Sequence, residues 1–166
     1  MLSSKVRDGL NAQINAELYS SYLYLSMAAY FESINMGGMA QWMRVQAEEE
    51  RGHAMKFFDF IVDRGGRVTL GAIEAPQSEW DSPLAAFQAA YEHEQKVTGM
   101  INGLVTLARA EGDPATEAFL QWFVTEQVEE EKSADEIVQK LSLVKGLPQG
   151  LLLMDRTLGE RRAGGE

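Results

Sequence analysis

The chain has 166 residues, 45% hydrophobic and 24% charged, enough for one ordinary globular domain and unlike a disordered or fibrous composition. Twenty-five Asp and Glu against fifteen Lys and Arg leave a net charge of −10, which excludes a basic nucleic-acid footprint and favours cations. With no cysteine and two histidines, disulfides, iron–sulfur clusters, cysteine zinc sites and thiol nucleophiles are excluded.

The N-terminus lacks a basic stretch followed by an apolar one, and no apolar run is long enough to span a bilayer. A cytoplasmic protein with no membrane and no nucleic-acid partner is expected. From Ser4 to Ser33 apolar residues recur at helical spacing without proline, and the glycines near Gly38 then close the first helix. A second helix is expected over 39–64, ended by Gly65 and Gly66.

The stretch from there to Ser82 can extend to ~55 Å, whereas a helix of about 27 residues is ~40 Å long. A connection of that reach can cross the whole bundle, so the third helix is expected to run parallel to the second. Ser82-Pro83 and Asp113-Pro114 each combine an N-cap with proline at the first helical position, starting helices over 83–111 and 114–145. After Gly146 and Pro148 a short fifth helix over 149–161 carries the apolar run Leu151 to Met154. The predicted fold is an all-α, single-domain, up-down-down-up four-helix bundle with a long crossover and a short C-terminal helix. Arg161 to Glu166 is expected to be disordered.

The seams that must face the core can be written for all four long helices. The first gives Leu10, Ile14, Glu17, Ser21, Tyr24, Ala28 and Phe31, and the second Met39, Met43, Gln46, Glu50, His53, Phe57 and Phe60. The third gives Leu84, Phe87, Tyr91, Glu94, Thr98, Ile101, Val105 and Ala108, and the fourth Leu120, Phe123, Gln127, Glu130, Ala134, Ile137 and Leu141. Each seam carries polar or ionisable groups at mid-length. In an antiparallel hairpin, residues equidistant from the turn share a height. Glu17 and Glu50 are centred on position 33.5 and Glu94 and Gln127 on position 110.5, both at expected turns. Glu50 and Glu94 each lie eleven residues into their helices, counted from Met39 and Pro83. All four helices therefore converge on one level.

Four glutamates in a low-dielectric core repel one another and are costly to desolvate, so they require cations or protons. Oxygen-rich ligation with one imidazole suits iron or manganese, with zinc also possible, and Glu50-x-x-His53 puts both donor types on one helix face. Di-iron carboxylate bundles use a Glu from each of two helices and Glu-x-x-His from the other two. The fourth helix here has Gln127-Val-Glu-Glu130 instead, so the second position lacks an imidazole and is expected to bind more weakly. Glu49, Glu126 and Glu129 stay open between solvated faces and ligands. Tyr24 stays open between packing and redox roles. His93 is expected at the surface, Trp42, Trp80 and Trp122 in packing, and Met27, Met39, Met43, Met55 and Met100 as gap-fillers.

The strings Asn15-Ala-Glu17, Glu49-Glu50-x-x-His53-Ala54, Tyr91-Glu-His-Glu94 and Glu126-Gln-Val-Glu-Glu130 resemble the non-haem ferritins of bacteria and archaea. The resemblance covers essentially the whole chain. It implies a ferroxidase centre with Glu17, Glu50 and His53 on one iron, and Glu50 bridging to a second held by Glu94 and Glu130, with Gln127 as a hydrogen-bonding neighbour. A third iron position would use Glu49, Glu126 and Glu129 with Glu130 shared, and Tyr24 would supply an electron or a hydrogen bond. The family further implies a cage of twenty-four copies that oxidises Fe(II) with dioxygen or hydrogen peroxide and stores a ferric oxide mineral. Glu117 would line a pore through which iron enters. Haem is not expected, because Arg51 stands where bacterioferritins carry a haem-ligating Met. Two other readings use the same residues: a di-iron or manganese oxidase or peroxidase acting on an external substrate, and a purely structural bundle.

Overall fold

The computed structural model describes residues 1–164. Among them five helices form: α1 Ser4–Ser33, α2 Gly37–Asp63, α3 Pro83–Ala110, α4 Pro114–Leu143 and α5 Pro148–Leu158. Local signals account for most of the boundaries. Ser3, Ser82 and Asp113 accept hydrogen bonds from the backbone of Val6, Ala85 and Thr116, so three of the four long helices start on a side-chain cap. Three close with a residue at positive φ, Asn35, Gly65 or Gly112, and paired backbone bonds such as Met36 N–H to Phe31 O at 2.9 Å and Asn35 N–H to Glu32 O at 3.1 Å. Asn35, not a glycine, therefore closes α1, and Gly37 and Gly38 belong to the first turn of α2, two residues ahead of its expected start.

α1 with α2 and α3 with α4 form the two hairpins. The connection between them runs along α1. Asn11 near one end of α1 accepts from Thr69 N at 2.7 Å and donates to Arg67 O at 3.1 Å, while Ser26, four turns on, donates to Gln77 O at 2.6 Å. Trp80 then packs edge-on against Tyr30 at 5.5 Å. The crossover thus carries the chain from the C-terminal end of α2 back to its N-terminal end, and α3 runs parallel to α2, as its length allowed.

The core has two apolar parts. One is built around Met27, Phe31, Met39, Met43, Phe87 and Leu141, the other around Leu10, Ile14, Phe57, Ile61, Ile101 and Phe123. In the second, Phe57 stacks on Phe123 at 4.2 Å and Phe60 on Phe119 at 4.0 Å. Between these parts lies a layer of buried polar side chains.

The seam of α4 is buried throughout, and the other three drift at a few positions. Ser21 is half-buried, donating to Ala47 O at 2.7 Å, while Ser20 beside it is buried; likewise Phe60 gives way to Ile61. Leu84, Tyr91 and Thr98 on α3 are half-buried. A helix of 3.6 residues per turn slips against a 3.5-residue seam, and over thirty residues the slip rotates the buried stripe. Met27, Met39 and Met43 are fully buried and fill the core, whereas Met55 and Met100, expected as gap-fillers at core or interface spacings, are exposed in the single chain and fill no gap in its core.

Candidate metal centre

The polar layer is the level at which the seam arithmetic placed the glutamates. Glu17 from α1, Glu50 and His53 from α2, Glu94 from α3 and Glu130 from α4 are all buried there. Donor atoms converge in two groups, Glu17 with Glu50 and His53, and Glu50 with Glu94 and Glu130, each with one atom per residue within 4.8 Å of the others. Glu50 is common to both. His53 Nδ1 lies 3.2 Å from Glu50 Oε2 and 3.9 Å from Glu17 Oε2.

Amides hold the carboxylates in place. Gln46 Nε2 donates to Glu50 Oε1 at 2.9 Å and to Glu130 Oε2 at 2.8 Å, tying α2 to α4. Gln13 Nε2, one turn before Glu17, donates to Glu17 Oε1 at 2.8 Å. Gln127 Nε2 donates to Glu94 Oε2 at 3.1 Å and to the Glu94 carbonyl at 3.2 Å, and the Tyr24 hydroxyl donates to Glu94 Oε1. Gln13 and Gln46 are functional neighbours that sequence reasoning did not assign; their i−4 spacing from Glu17 and Glu50 was the available signal.

The electrostatics follow from burial. Desolvation, reinforced by the charge of Glu50, raises Glu17 well above the usual carboxylate range, and desolvation with Glu94 and Glu130 does the same to Glu50. Burial also raises Glu94, against the lowering effect of Tyr24 and Gln127. Glu130 is pushed up to about 8 by burial and by Glu94. The Tyr24 phenol, buried beside Glu94 and Glu50, is held well above its ordinary range. Glu17 Oε2 is buried and finds no hydrogen-bond partner among the described residues. A carboxylate oxygen left bare beside an imidazole and a second carboxylate has lone pairs free to hold a metal ion. The donor set, oxygen-rich with one nitrogen, fits iron.

These relations match known proteins. A family model described as a ferritin-like domain matches residues 7–144. The chain is 43% identical over 161 residues to a bacterial non-heme ferritin of Bacteroides fragilis, covering 97% of this chain and all of the relative. It is 40% identical over 158 residues to one of Escherichia coli, covering 95% and 96%. The chain belongs to the ferritin family. Among solved structures it is similar to an open pore ferritin from the archaeon Archaeoglobus fulgidus, with a TM-score of 0.97 and 57% identity over 98% of this chain and all of that one. A humanized archaeal ferritin gives a TM-score of 0.98 and 55% identity, covering 99% and 100%.

The remaining predicted positions of this ferritin chain divide. Glu126 joins His53 and Glu130 in a third convergent group. Glu129 is exposed, and Glu49 pairs with Arg161 at 2.7 Å. Arg161 is therefore half-buried and engaged, correcting the expectation of a disordered tail from that residue; Gly165 and Glu166 lie outside the described residues. His93 is also a correction. It is half-buried, with Nε2 2.7 Å from the buried Ser20 hydroxyl, and burial with Lys96 lowers it to about 4. Trp42 and Trp80 are buried, whereas Trp122 is exposed, with Lys56 Nζ 3.3 Å above its ring and its edge on His53. Glu117 is held by Arg109 Nε at 2.6 Å. No helix among the described residues is long and apolar enough to cross a membrane.

Proposed function

We propose that the chain is one subunit of a cytoplasmic iron-storage cage that oxidises Fe(II) to Fe(III) and keeps the product as a ferric oxide mineral. The observation that carries this reading is that Glu50 belongs to two donor groups inside a buried layer, one of which contains the unpartnered oxygen of Glu17. One Fe(II) takes Glu17, Glu50 and His53, the other Glu50, Glu94 and Glu130, with Glu50 bridging. Two Fe(II) give up two electrons together; dioxygen with two protons leaves as hydrogen peroxide, or hydrogen peroxide with two protons leaves as two waters.

This chain's residues hold the pair and manage its charge. Gln46 and Gln127 fix three carboxylates, and the raised glutamates release protons as cations replace them. Tyr24, hydrogen-bonded to Glu94, orients that ligand and stands ready to give an electron. A third Fe(II) position uses Glu49, Glu126 and Glu129 with Glu130 shared, and takes iron passing between the pair and the mineral. The second position, without imidazole, binds more weakly than the first.

Membership of the ferritin family supports storage, and two physical features agree. A net charge of −10 draws cations inward. Leu152 and Leu153 are 60% and 65% exposed on α5 in the single chain, which a contact between twenty-four copies would cover. The test is aerobic Fe(II) loading followed by size-exclusion chromatography, with iron and protein quantified across one peak. A large particle holding far more iron than three per chain bears out storage. Iron that stops at about two per chain, or a small particle, favours an oxidase or peroxidase acting on an external substrate.

A further inference from the structure

Beside the proposed two-iron centre a cavity of about 710 Å³ opens toward solvent, lined by Glu49, Glu126, Glu129 and Glu130 and walled by Trp42 and Arg161. Its acidic groups are not equivalent. Glu126 and Glu130 converge with His53, whereas Glu49 and the exposed Glu129 join no convergent donor group among the described residues. Its carboxylate instead receives Arg161 Nη2 at 2.7 Å. The guanidinium is held from two further directions, lying 4.3 Å over the Trp42 ring centroid and donating through Nη1 to the Trp42 carbonyl at 3.3 Å. A partly exposed ion pair alone is weak, but stacking on a buried indole and a backbone acceptor fix where this charge stands. Arg161 comes three residues after the end of α5, outside any helix, so its placement owes nothing to helical periodicity.

We propose that Arg161 is a built-in counter-cation that competes with Fe(II) for Glu49 and keeps the third position weak. The proposal rests on reading Glu49, Glu126 and Glu129 as that position. With the guanidinium seated, an incoming cation meets one ligand fewer and one positive charge more. With it withdrawn from Trp42, the Glu49 carboxylate is released to the incoming cation. Guanidinium stays charged at every physiological pH, so the counter-cation itself is never lost by titration. A position held weak in this way passes iron onward instead of retaining it. Arg161 is a positioning residue here, acting through Glu49.

The test is anaerobic titration of Fe(II) into the assembled, metal-free protein, following heat, for wild type, Arg161→Gln, Arg161→Lys and the double variant Arg161→Gln/Glu49→Gln. The expected result is a weak class of about one Fe(II) per chain that tightens by about tenfold in Arg161→Gln. Arg161→Lys, which keeps the charge but loses the planar stack and fork, should fall between, and the double variant should lose the gain. If Glu126→Gln removes the weak class but Arg161→Gln leaves its affinity at the wild-type value, the counter-cation role is wrong and the third position stands. If only the two positions of the pair fill, the second more weakly than the first, and no third class exists in any of these proteins, the third position is wrong and the inference falls with it.

Discussion

Gly38 and Asp155, on α2 and α5, meet backbone to backbone: a Cβ on Gly38 would overlap the Asp155 carbonyl. The same aspartate sends Oδ1 to Met39 N at 2.8 Å. α2 has no side-chain cap of its own at Met36, so its cap comes from a residue more than a hundred positions away. Gly38→Ala cannot be relieved by a rotamer change, because the atom it strikes is backbone. It should cost about 1–3 kcal/mol and loosen α5 selectively, whereas Asp155→Ala should cost about 1 kcal/mol. Hydrogen exchange of α5 amides reports both; unchanged α5 protection in Gly38→Ala would sink this account.

The buried glutamates oppose folding until metal arrives. Glu130→Gln keeps the shape and still offers an oxygen to Gln46, so it should stabilise the metal-free protein by about 1–4 kcal/mol at pH 8. Saturating Zn(II), which binds without redox chemistry, should reverse the order, because only the intact ligand set gains its full binding energy. Denaturant unfolding with and without Zn(II) checks both halves. A metal-free variant less stable than wild type contradicts the electrostatic reading.

Proton release has a definite sign. Glu130, pushed up to about 8, is protonated at neutral pH without metal, and Glu17 and Glu50 are raised as well. A ligating carboxylate must shed its proton, so binding releases protons and apparent affinity climbs with pH while these glutamates are still protonated. Zn(II) calorimetry in two buffers of different ionisation enthalpy should show proton release at pH 6.5. Equal heats in the two buffers, with affinity constant from pH 6 to 8, would rule this out.

The exposed leucines of α5 give assembly its own test. Leu152→Glu with Leu153→Glu places charge on a face that is largely open to solvent in the single chain, so the monomer should fold with little change in helix content. A contact between copies would lose its apolar centre and the particle should come apart. Light scattering decides; a full-size particle from the double variant would mean that α5 does not carry the contact.

Much of the site was legible because its positions obey two regular rules. Helical spacing put Glu17, Glu50, Glu94, Gln127 and Glu130 on inward seams, and hairpin symmetry put the first four at one height, with Glu130 three residues further along α4. The capping pairs Ser82-Pro83 and Asp113-Pro114 are local chemistry and fixed two helix starts to within a residue. What was missed has no period to read. Arg161 lies beyond the last helix and reaches Trp42 and Glu49 only because α5 folds back across α2. His93 sits beside Glu94 on the helix, so rotation alone sends it outward; its burial comes from α1, where Ser20 and Tyr19 close over it. Asn35 took the turn, while Gly38 in the first turn of α2 gives the close approach to Asp155 of α5.

Glu50 offers the sharpest functional test because it is the ligand that both donor groups share. Removing Glu17 or Glu94 should spoil one position and leave the other, whereas Glu50→Ala takes a donor from both and leaves Gln46 without one of its two acceptors. Glu50→Ala should therefore abolish the initial rapid oxidation of Fe(II), while Gln46→Ala, which removes only a supporting amide, should weaken metal binding by ~10–100-fold. The cavity left by Glu50→Ala is polar and can take water, so folding and particle size should survive. Stopped-flow absorbance after mixing with two Fe(II) per chain in air separates the cases. Wild-type initial rates from a correctly assembled Glu50→Ala protein would show that oxidation occurs elsewhere, on the mineral surface or at the cavity beside Arg161.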